Sequence, residues 1–256
     1  MAAIGKISVL GIGISRVDYK SAVDEIISCG KDNRSLNVTA IAVHGVMEGY
    51  FDREFANKLN SFDIVTPDGQ PIKWALNILG AKESRERVCG PVLMLKVCER
   101  AAAEKVPLFF YGSTSETLAR MKDNIVKQYP DLIIAGMQAD RFRDATTEED
   151  ERDIALINKT GAGIVFVGRG CPRQEKWVAS HMSKIKCVMI SVGAAFDFHA
   201  GLLRRPPKII QDMGLEWAFR LAQEPKRLWR RYLILNPLFV YNFCLQIIRE
   251  KLKRLG

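Results

Sequence analysis

The nine residues Asp63-Ile64-Val65-Thr66-Pro67-Asp68-Gly69-Gln70-Pro71 contain a strand end, a turn and a helix start. The apolar pair 64–65 is typical of the end of a buried parallel strand, which Pro67 closes because proline cannot donate to a ladder. Gly69 permits a tight turn, and Pro71 is tolerated early in a helix, where its missing N–H costs little. The stretch therefore predicts a corner of an open α/β sheet, where ligands usually bind.

Asp68 stands at this corner. A carboxylate in this position has two interpretations. It caps the following helix, or it faces a ligand and takes part in chemistry. The residues alone leave both interpretations open.

Strand and helix patterns alternate on either side of this corner, with short connections. Strand patterns occupy 6–10, 36–43, 64–65, 108–111, 132–135, 163–167 and 187–192. Helical spacing occupies 18–29, 45–59, 70–76, 91–103, 115–129, 148–159 and 172–183. The alternation predicts an α/β core over residues 1–200, with a mainly parallel sheet and helices on both faces.

Length and cysteine usage limit the class of protein. The 256 residues suffice for one large α/β domain, with or without an appendage. The six cysteines show neither C-x-x-C pairs nor zinc spacing, which indicates free thiols in a reducing compartment. Residues 1–15 lack the basic start and cleavage site of a signal peptide, so we expect a first strand there and a cytoplasmic chain.

The positive charge is concentrated at the end of the chain. The net charge is +9, and residues 201–256 contain twelve Lys/Arg against four Asp/Glu. Strand patterns stop there, so we expect a basic helical appendage over 201–256. Its apolar run 232–248 is short for a bilayer span and is interrupted by Pro237. Basic residues interleaved with Trp, Phe and Leu favour a helix lying on an anionic membrane surface; a packed helix and a true span are the alternatives.

Two glycine-rich turns follow predicted strands. Gly168 and Gly170 would let the backbone approach a ligand closely, and the helix opening at Pro172 would point free N–H groups at a phosphate. Arg173 and Gln174 would add side-chain contacts, although an ordinary βα turn is the alternative. Neither this turn nor Gly11-Ile12-Gly13 forms G-x-G-x-x-G, so a nicotinamide enzyme is not supported.

Asp197 follows the next strand and would stand at the same sheet edge as Asp68, where it would bind a ribose or a base or merely order its loop.

The sequence has no D-x-D and no His/Cys/carboxylate cluster with ligand spacing, so no metal is expected. A departing diphosphate would then need arginines. The candidates lie in the tail and are alternatively a solvated or lipid-facing surface: Arg220, Arg227, Arg230 and Arg231.

These motifs together resemble the WecG/TagA/CpsF family of bacterial glycosyltransferases (glycosyltransferase family 26). The resemblance covers roughly residues 36–235 in unbroken order. It rests on Thr66-Pro67-Asp68-Gly69, Arg87-Val88-Cys89-Gly90, Gly168 to Trp177, Gly193-Ala194-Ala195-Phe196-Asp197, and a tail that runs from Gly214-Leu215-Glu216-Trp217 through Arg220 and Glu224-Pro225-Lys226-Arg227-Leu228 to Arg230-Arg231-Tyr232.

The resemblance implies a Rossmann-like core and an inverting, metal-independent hexosyltransferase of bacterial surface polysaccharide biosynthesis. The donor would be a UDP-sugar carrying N-acetylmannosamine, its uronic acid or glucose, with no cofactor. The acceptor would be a polyprenyl-diphosphate-linked saccharide at the inner face of the cell membrane, to which the cytoplasmic protein would attach peripherally.

The resemblance also implies roles for residues. Asp68 matches the general base and Gln174 the active-site glutamine, while Arg220, Arg227 and Arg230 match arginines that fold over the site; Arg231 is added here as a fourth diphosphate ligand. We assign the donor nucleotide-sugar to Thr66, Gly69, Gly112, Gly168, Gly170, Pro172, Arg173, Phe196 and Asp197.

One segment departs from the family. Where relatives often have Thr-Pro-Asn, this chain has Ala40, Ile41 and Ala42, with Thr39 and His44 as candidate substitutes.

Two rival classes remain for comparison. Another Rossmann-type enzyme, such as a methyltransferase or dehydrogenase, would share the core. A nucleic-acid-binding protein would explain the basic tail, but the core is nearly neutral, so no nucleic acid partner is expected. A homo-oligomer is left open.

Overall fold

A computed structural model describes residues 4–81, 86–207, 209–210 and 215–255. Its centre is a six-stranded sheet in which every neighbouring pair is parallel, in the order β4-β3-β8-β7-β5-β6. The strands are β3 (Leu36–Ile41), β4 (Ile64–Pro67), β5 (Leu108–Gly112), β6 (Ile134–Gln138), β7 (Ile164–Gly168) and β8 (Val188–Ser191). The predicted Rossmann-like α/β class is confirmed.

Helices cover both faces of the sheet because the buried strands are apolar on both sides. Helices α1, α5, α6 and α9 pack on one face, and α2, α3, α4, α7 and α8 on the other. Their bounds are α1 (Tyr19–Lys31), α2 (Val43–Phe51), α3 (Arg53–Asn60), α4 (Gln70–Ile78), α5 (Gly90–Glu104), α6 (Ser115–Gln128), α7 (Thr147–Lys159), α8 (Arg173–His181) and α9 (Ala195–His199).

The start of the chain forms a separate hairpin. Strands β1 (Lys6–Val9) and β2 (Ile12–Ser15) pair antiparallel. Leu10 and Gly11 both have positive φ at the two-residue turn between them, the conformation that lets strands reverse directly. The hairpin lies beside β4, whose Val65 N–H donates to Ser15 Oγ at 2.9 Å. The expected first strand therefore exists, but outside the parallel sheet.

Two other boundaries differ from the prediction. The expected helix over 45–59 is two helices, because the Asp52 side chain accepts from Phe55 N–H at 3.1 Å and caps a new helix there. Strand β6 begins at Ile134 and continues to Gln138, later than the apolar run suggested.

The described tail is helical over residues 216–255 except at Glu224, where the chain bends. It contains α10 (Glu216–Gln223), α11 (Pro225–Trp229), a π-helical segment (Arg230–Leu235) and α12 (Asn236–Leu255). Leu228, Phe239 and Phe243 are buried, and the last two belong to the core cluster under α2 and α3. The division into core and appendage at residue 200 stays a prediction, but the appendage packs on the core.

The tail also meets the hairpin. Gln246 accepts from Leu10 N–H at 2.8 Å and donates to Ser8 C=O at 2.9 Å. Within the described residues, one helical stretch, Pro225–Lys253, is long and apolar enough to cross a membrane by length and composition alone, and 11% of its most apolar window is buried. The tail is therefore docked on one side and exposed on the other.

Candidate active site

A cavity of about 570 Å³ opens at the carboxyl ends of β3, β4, β7 and β8, and the tail forms its far wall. This is the edge at which open α/β sheets bind ligands. Ten of the predicted site residues line it: Asp68, Gly69, Gly168, Gly170, Gln174, Phe196, Asp197, Arg220, Arg227 and Arg231.

Asp68 extends the pairing of β4 with β3, since its N–H donates to Ile41 C=O at 2.9 Å. Its carboxylate accepts from Gly90 N–H at 3.3 Å. Helix α4 has Gly69 as its N-cap residue and no side-chain cap, so the interpretation of Asp68 as a helix cap is wrong. The half-buried carboxylate faces the cavity instead.

The surroundings of Asp68 favour its protonated form. Burial raises its pKa to about 6. The positive charge of Arg87 and the Gly90 N–H oppose this rise, and the negative charge of Glu216 adds to it. A carboxyl group with a pKa near 6 is suited to exchanging protons near neutral pH.

Arg87 and Glu216 form an ion pair between the core and the tail. Arg87 precedes α5 and Glu216 begins α10; both side chains are largely buried and both line the cavity. Arg87 lies in a quoted motif, but neither residue was assigned a role from the sequence.

Gln174 is buried at the floor of the cavity, on the first turn of α8. Its Nε2 donates to Glu175 Oε1 at 2.7 Å, and its Oε1 accepts from Gly193 N–H at 3.2 Å. Thr39 Oγ1 also donates to Glu175 Oε1, at 3.1 Å. Burial raises the pKa of Glu175. Thr39 thus supports the buried carboxyl group beneath the cavity.

His44, the other candidate substitute, lines the cavity at the start of α2. Its Nε2 lies 3.2 Å from Glu48, and its Nδ1 is buried with no hydrogen-bond partner among the described residues. Burial, together with the charges of Arg231 and Arg227, lowers its pKa to about 4, so the ring is neutral at pH 7. A neutral imidazole can serve the cavity as a hydrogen-bonding group.

Asp197 and Phe196 share the short helix α9. Burial raises the pKa of Asp197, while the charges of Arg227 and Arg220 lower it. Phe196 packs edge-on against Phe110, with ring centroids 5.9 Å apart. The Phe196 ring also leaves no room for a side chain at Gly168, because a Cβ there would lie 2.7 Å from the ring.

Three tail arginines reach the cavity. Arg220 is buried, stacks over Phe198 with its guanidinium carbon 4.7 Å from the ring centroid, and pairs with Glu224 at 2.8 Å. Its Nη1 is buried with no hydrogen-bond partner among the described residues. Arg227 shares Glu224, and burial lowers the pKa of Arg231. A buried donor without a partner beside two further cations suits an anionic ligand.

Five predicted residues do not line the cavity, namely Thr66, Gly112, Pro172, Arg173 and Arg230. Thr66 is buried and donates to Val88 C=O at 2.9 Å. Arg173 pairs with Asp140 at 3.1 Å. A Cβ at Gly112 would lie 2.6 Å from Gly168 C=O, so this glycine permits the close approach of β5 to β7. Arg230 is exposed and lies over the Trp229 ring, 6.0 Å from its centroid.

Other residues line the wall where the nucleotide was expected. Three residues around the start of α6 line this wall, namely Ser113, Thr114 and Thr117. Arg169, which follows β7, also lines it. Arg169 pairs with Asp140 at 2.9 Å and lies 5.4 Å from the centroid of the Tyr111 ring. Gly168-Arg169-Gly170 was recognised, but the arginine between the glycines was not assigned.

The described residues contain no group of three or more His, Cys, Asp or Glu able to hold a metal ion. All six cysteines are free, and Cys89 and Cys171 line the cavity. The ionisable side chains that line the cavity include the carboxylates of Asp68, Asp197 and Glu216 and several guanidinium groups. Gly214 of the quoted tail motif lies outside the described residues.

Comparison with known proteins identifies a family for this chain. The profile described as "Glycosyl transferase WecG/TagA/CpsF family" matches residues 7–253. A protein of Bacillus spizizenii strain W23, named N-acetylglucosaminyldiphosphoundecaprenol N-acetyl-beta-D-mannosaminyltransferase, is 29% identical over 177 residues, which are 68% of this chain and 66% of that protein.

A protein of Bacillus subtilis strain 168 with the same name is 26% identical over 201 residues, which are 78% of this chain and 74% of that protein. The alignments thus span from about two thirds to three quarters of these relatives. Since the family profile covers nearly the whole sequence, the chain belongs to the WecG/TagA/CpsF family of glycosyl transferases, and the expectation of a hexosyltransferase is confirmed.

Proposed function

We propose that this protein transfers N-acetylmannosamine from UDP to a polyprenyl-diphosphate-linked N-acetylglucosamine, with inversion and without a metal ion. The names of the two relatives supply the transferred sugar and the acceptor. The observation that supports the reaction is one cavity in which a half-buried carboxylate, Asp68, faces the guanidinium groups of Arg220, Arg227 and Arg231.

In the proposed reaction the acceptor hydroxyl attacks the anomeric carbon of the donor in a single displacement, which inverts that carbon. Asp68 takes the hydroxyl proton as the new bond forms, a contribution typically worth ~10²–10⁴-fold in rate. The bond from the anomeric carbon to the diphosphate breaks, and UDP leaves with the bonding electrons. A pKa near 6 leaves Asp68 mostly ionised at pH 7.5 and still able to hold the proton it receives.

We assign the diphosphates to the cationic wall of the cavity, which is formed by Arg220, Arg227 and Arg231. Arginine forms paired hydrogen bonds with phosphate oxygens, and the buried Arg220 Nη1 has no partner among the described residues. Ser113 and the N-cap residue Thr114 line the cavity just before α6, whose first N–H groups lie at this end of the helix. These cations support a mechanism in which charge on the leaving diphosphate is neutralised by side chains.

The tail is also the proposed membrane contact. Its described residues expose Trp229, Leu233, Val240, Tyr241, Ile248 and Leu252 on helices that carry many Lys and Arg. Apolar groups flanked by basic residues favour attachment to an anionic leaflet. We propose peripheral attachment to the inner face of the cell membrane, where a polyprenyl-linked acceptor would be presented.

A transfer assay tests the proposal. The full chain is incubated with UDP-N-acetylmannosamine and a short-chain polyprenyl diphosphate N-acetylglucosamine, with and without EDTA, and product anomers are identified by NMR. We expect a β-linked disaccharide in both conditions and little product from UDP-glucose or the uronic acid donor. Transfer from another UDP-sugar would correct the donor, and loss of activity in EDTA would refute metal independence.

Ligand-induced stabilisation separates the remaining classes. We expect UDP, but neither S-adenosylmethionine nor NAD, to raise the melting temperature, and to raise it further as the ligand concentration increases. Stabilisation by either cofactor, with none by UDP, would contradict the proposed function.

A further inference from the structure

The strongest observation outside the proposed mechanism is the ion pair of Arg87 with Glu216. Arg87 stands three residues before Gly90, whose N–H binds the Asp68 carboxylate. Glu216 begins α10 of the tail and lines the cavity with Arg87 and Asp68. The pair therefore joins the part of the core that carries Asp68 to the tail segment that closes the cavity.

Two partners compete for the same guanidinium. In the docked structure the ion pair that the described residues give Arg87 is with Glu216, whose side chain is 20% exposed. If the tail lifts from the core, Glu216 leaves, and the remaining carboxylate among the groups whose charge acts on Arg87 is Asp68. An arginine paired with a carboxylate makes that carboxylate a weaker base.

We propose that Glu216 is a positioning residue that takes up Arg87 when the tail docks and so leaves Asp68 free to accept the proton of the acceptor. This inference rests on the proposed function and concerns the regulation of the same site. Docking of the tail would then supply two things together, the cationic wall and an active base. An undocked enzyme would hold Asp68 in an ion pair with Arg87 and would be a poor catalyst.

Other charged and titratable groups also face Asp68. Arg205, from the segment after Gly201, lowers its pKa as Arg87 does. Tyr232 of the π-helical segment, together with Cys89 and Tyr19 on the core side, is affected by the Asp68 charge. Of these groups, Glu216 is the one that both belongs to the tail and raises the pKa of Asp68.

The test measures the pKa of Asp68 directly, by ¹³C NMR of the full chain labelled at aspartate carboxyl carbons, with Asp68→Asn to assign the signal. We expect a midpoint near pH 6 in the wild type. Glu216→Gln should lower the midpoint by about 1 pH unit, because Arg87 then acts on Asp68 unopposed. Arg87→Met should raise it by about 1 pH unit, because the opposing cation is lost.

Glu224→Gln is the matched control. Glu224 is also a tail carboxylate and pairs with Arg220 and Arg227, away from Asp68. It should leave the Asp68 midpoint unchanged. If Arg87→Met does not fold, the exchanged pair Arg87→Glu with Glu216→Arg replaces it. The exchanged pair should restore the protection of residues 216–223 from hydrogen exchange that Glu216→Arg alone removes.

The acid limb of single-turnover transfer should move with the NMR midpoint in each variant. Loosening of the tail alone would lower the rate at every pH without opposite shifts in the two variants. Equal midpoints in wild type, Glu216→Gln and Arg87→Met would overturn the inference even if transfer is observed. The NMR measurement needs no turnover, so it decides this inference separately from the proposed reaction.

Discussion

Replacing Asp68 by Asn should make the protein more stable and nearly inactive. The carboxyl group has a pKa of about 6 in the folded chain instead of its ordinary 3.8. Each pKa unit corresponds to about 1.4 kcal/mol, so ionised Asp68 lowers the free energy of unfolding by up to about 3 kcal/mol. Asparagine removes that cost, and its side-chain oxygen can still accept from Gly90 N–H.

The effect of Asp68 on the free energy of unfolding depends on pH, and its sign follows from the two pKa values. Because the folded-state pKa lies above the unfolded value, the cost is absent below about pH 4, grows as pH rises towards 6, and is complete above it. We expect Asp68→Asn to unfold at higher urea concentration than wild type at pH 7.5, with little difference at pH 4. Transfer should fall by ~10²–10⁴-fold at pH 7.5.

Two measurements on the same preparations test both the cost of the ionised carboxylate to stability and its role in transfer. Urea unfolding at both pH values gives the change in stability, and the polyprenyl acceptor assay gives the change in rate. A variant that is stabilised equally at pH 4 and 7.5 would show that the gain does not come from removing a charge. Near-full transfer by the variant would remove Asp68 from the mechanism.

Three further outcomes follow from the contacts of single residues. Arg220→Met should weaken UDP or acceptor binding about 10–100-fold in calorimetry, because a charged hydrogen bond contributes ~1.5–3 kcal/mol. Arg230→Met, at an exposed arginine outside the cavity, is the control. Equal losses of affinity in the two variants would show that the position of Arg220 in the cavity is irrelevant. Val240→Glu with Ile248→Glu should abolish flotation with anionic vesicles. Leu156→Glu, at an apolar residue that is also exposed but lies on α7, should not. Flotation of the double variant would show that the tail is not the membrane contact. Gly90→Ala should cost about 1–3 kcal/mol in urea unfolding, because its Cβ would lie 2.4 Å from Val192 C=O, while Gly5→Ala, with Arg16 Cδ at 3.8 Å, should cost less than about 0.5 kcal/mol.

The sheet and its ligand-facing edge could be predicted because the alternation of apolar strands and amphipathic helices is local information. Parallel strands bring their carboxyl ends to one edge, so Asp68, Gln174 and Asp197 were expected together and line one cavity. The hairpin was missed as a separate unit because an apolar run does not show which sheet it joins. The break at Asp52 was missed because the apolar spacing continues across the cap.

The tail shows where sequence reasoning is insufficient. Adjacent residues of a helix point in different directions, so Arg230 and Arg231 do not both face the cavity, and Arg231 does. The pairing of Arg87 with Glu216 joins positions far apart in the chain, and no periodicity reports such a contact. Thr66 was expected at the donor and instead donates to Val88 C=O, because a hydroxyl on a buried strand can equally well hydrogen-bond the backbone of a neighbouring segment.

The hydrogen bonds between Gln246 and the hairpin join positions that are 236 and 238 residues apart in the sequence. Contacts between such distant positions form late, because the intervening chain must already be ordered. During synthesis the sheet emerges from the ribosome before the arginines that complete its cavity, and domains generally fold as they emerge. A nascent chain would thus acquire its fold well before its activity, and premature termination would release an inert core rather than an unregulated transferase.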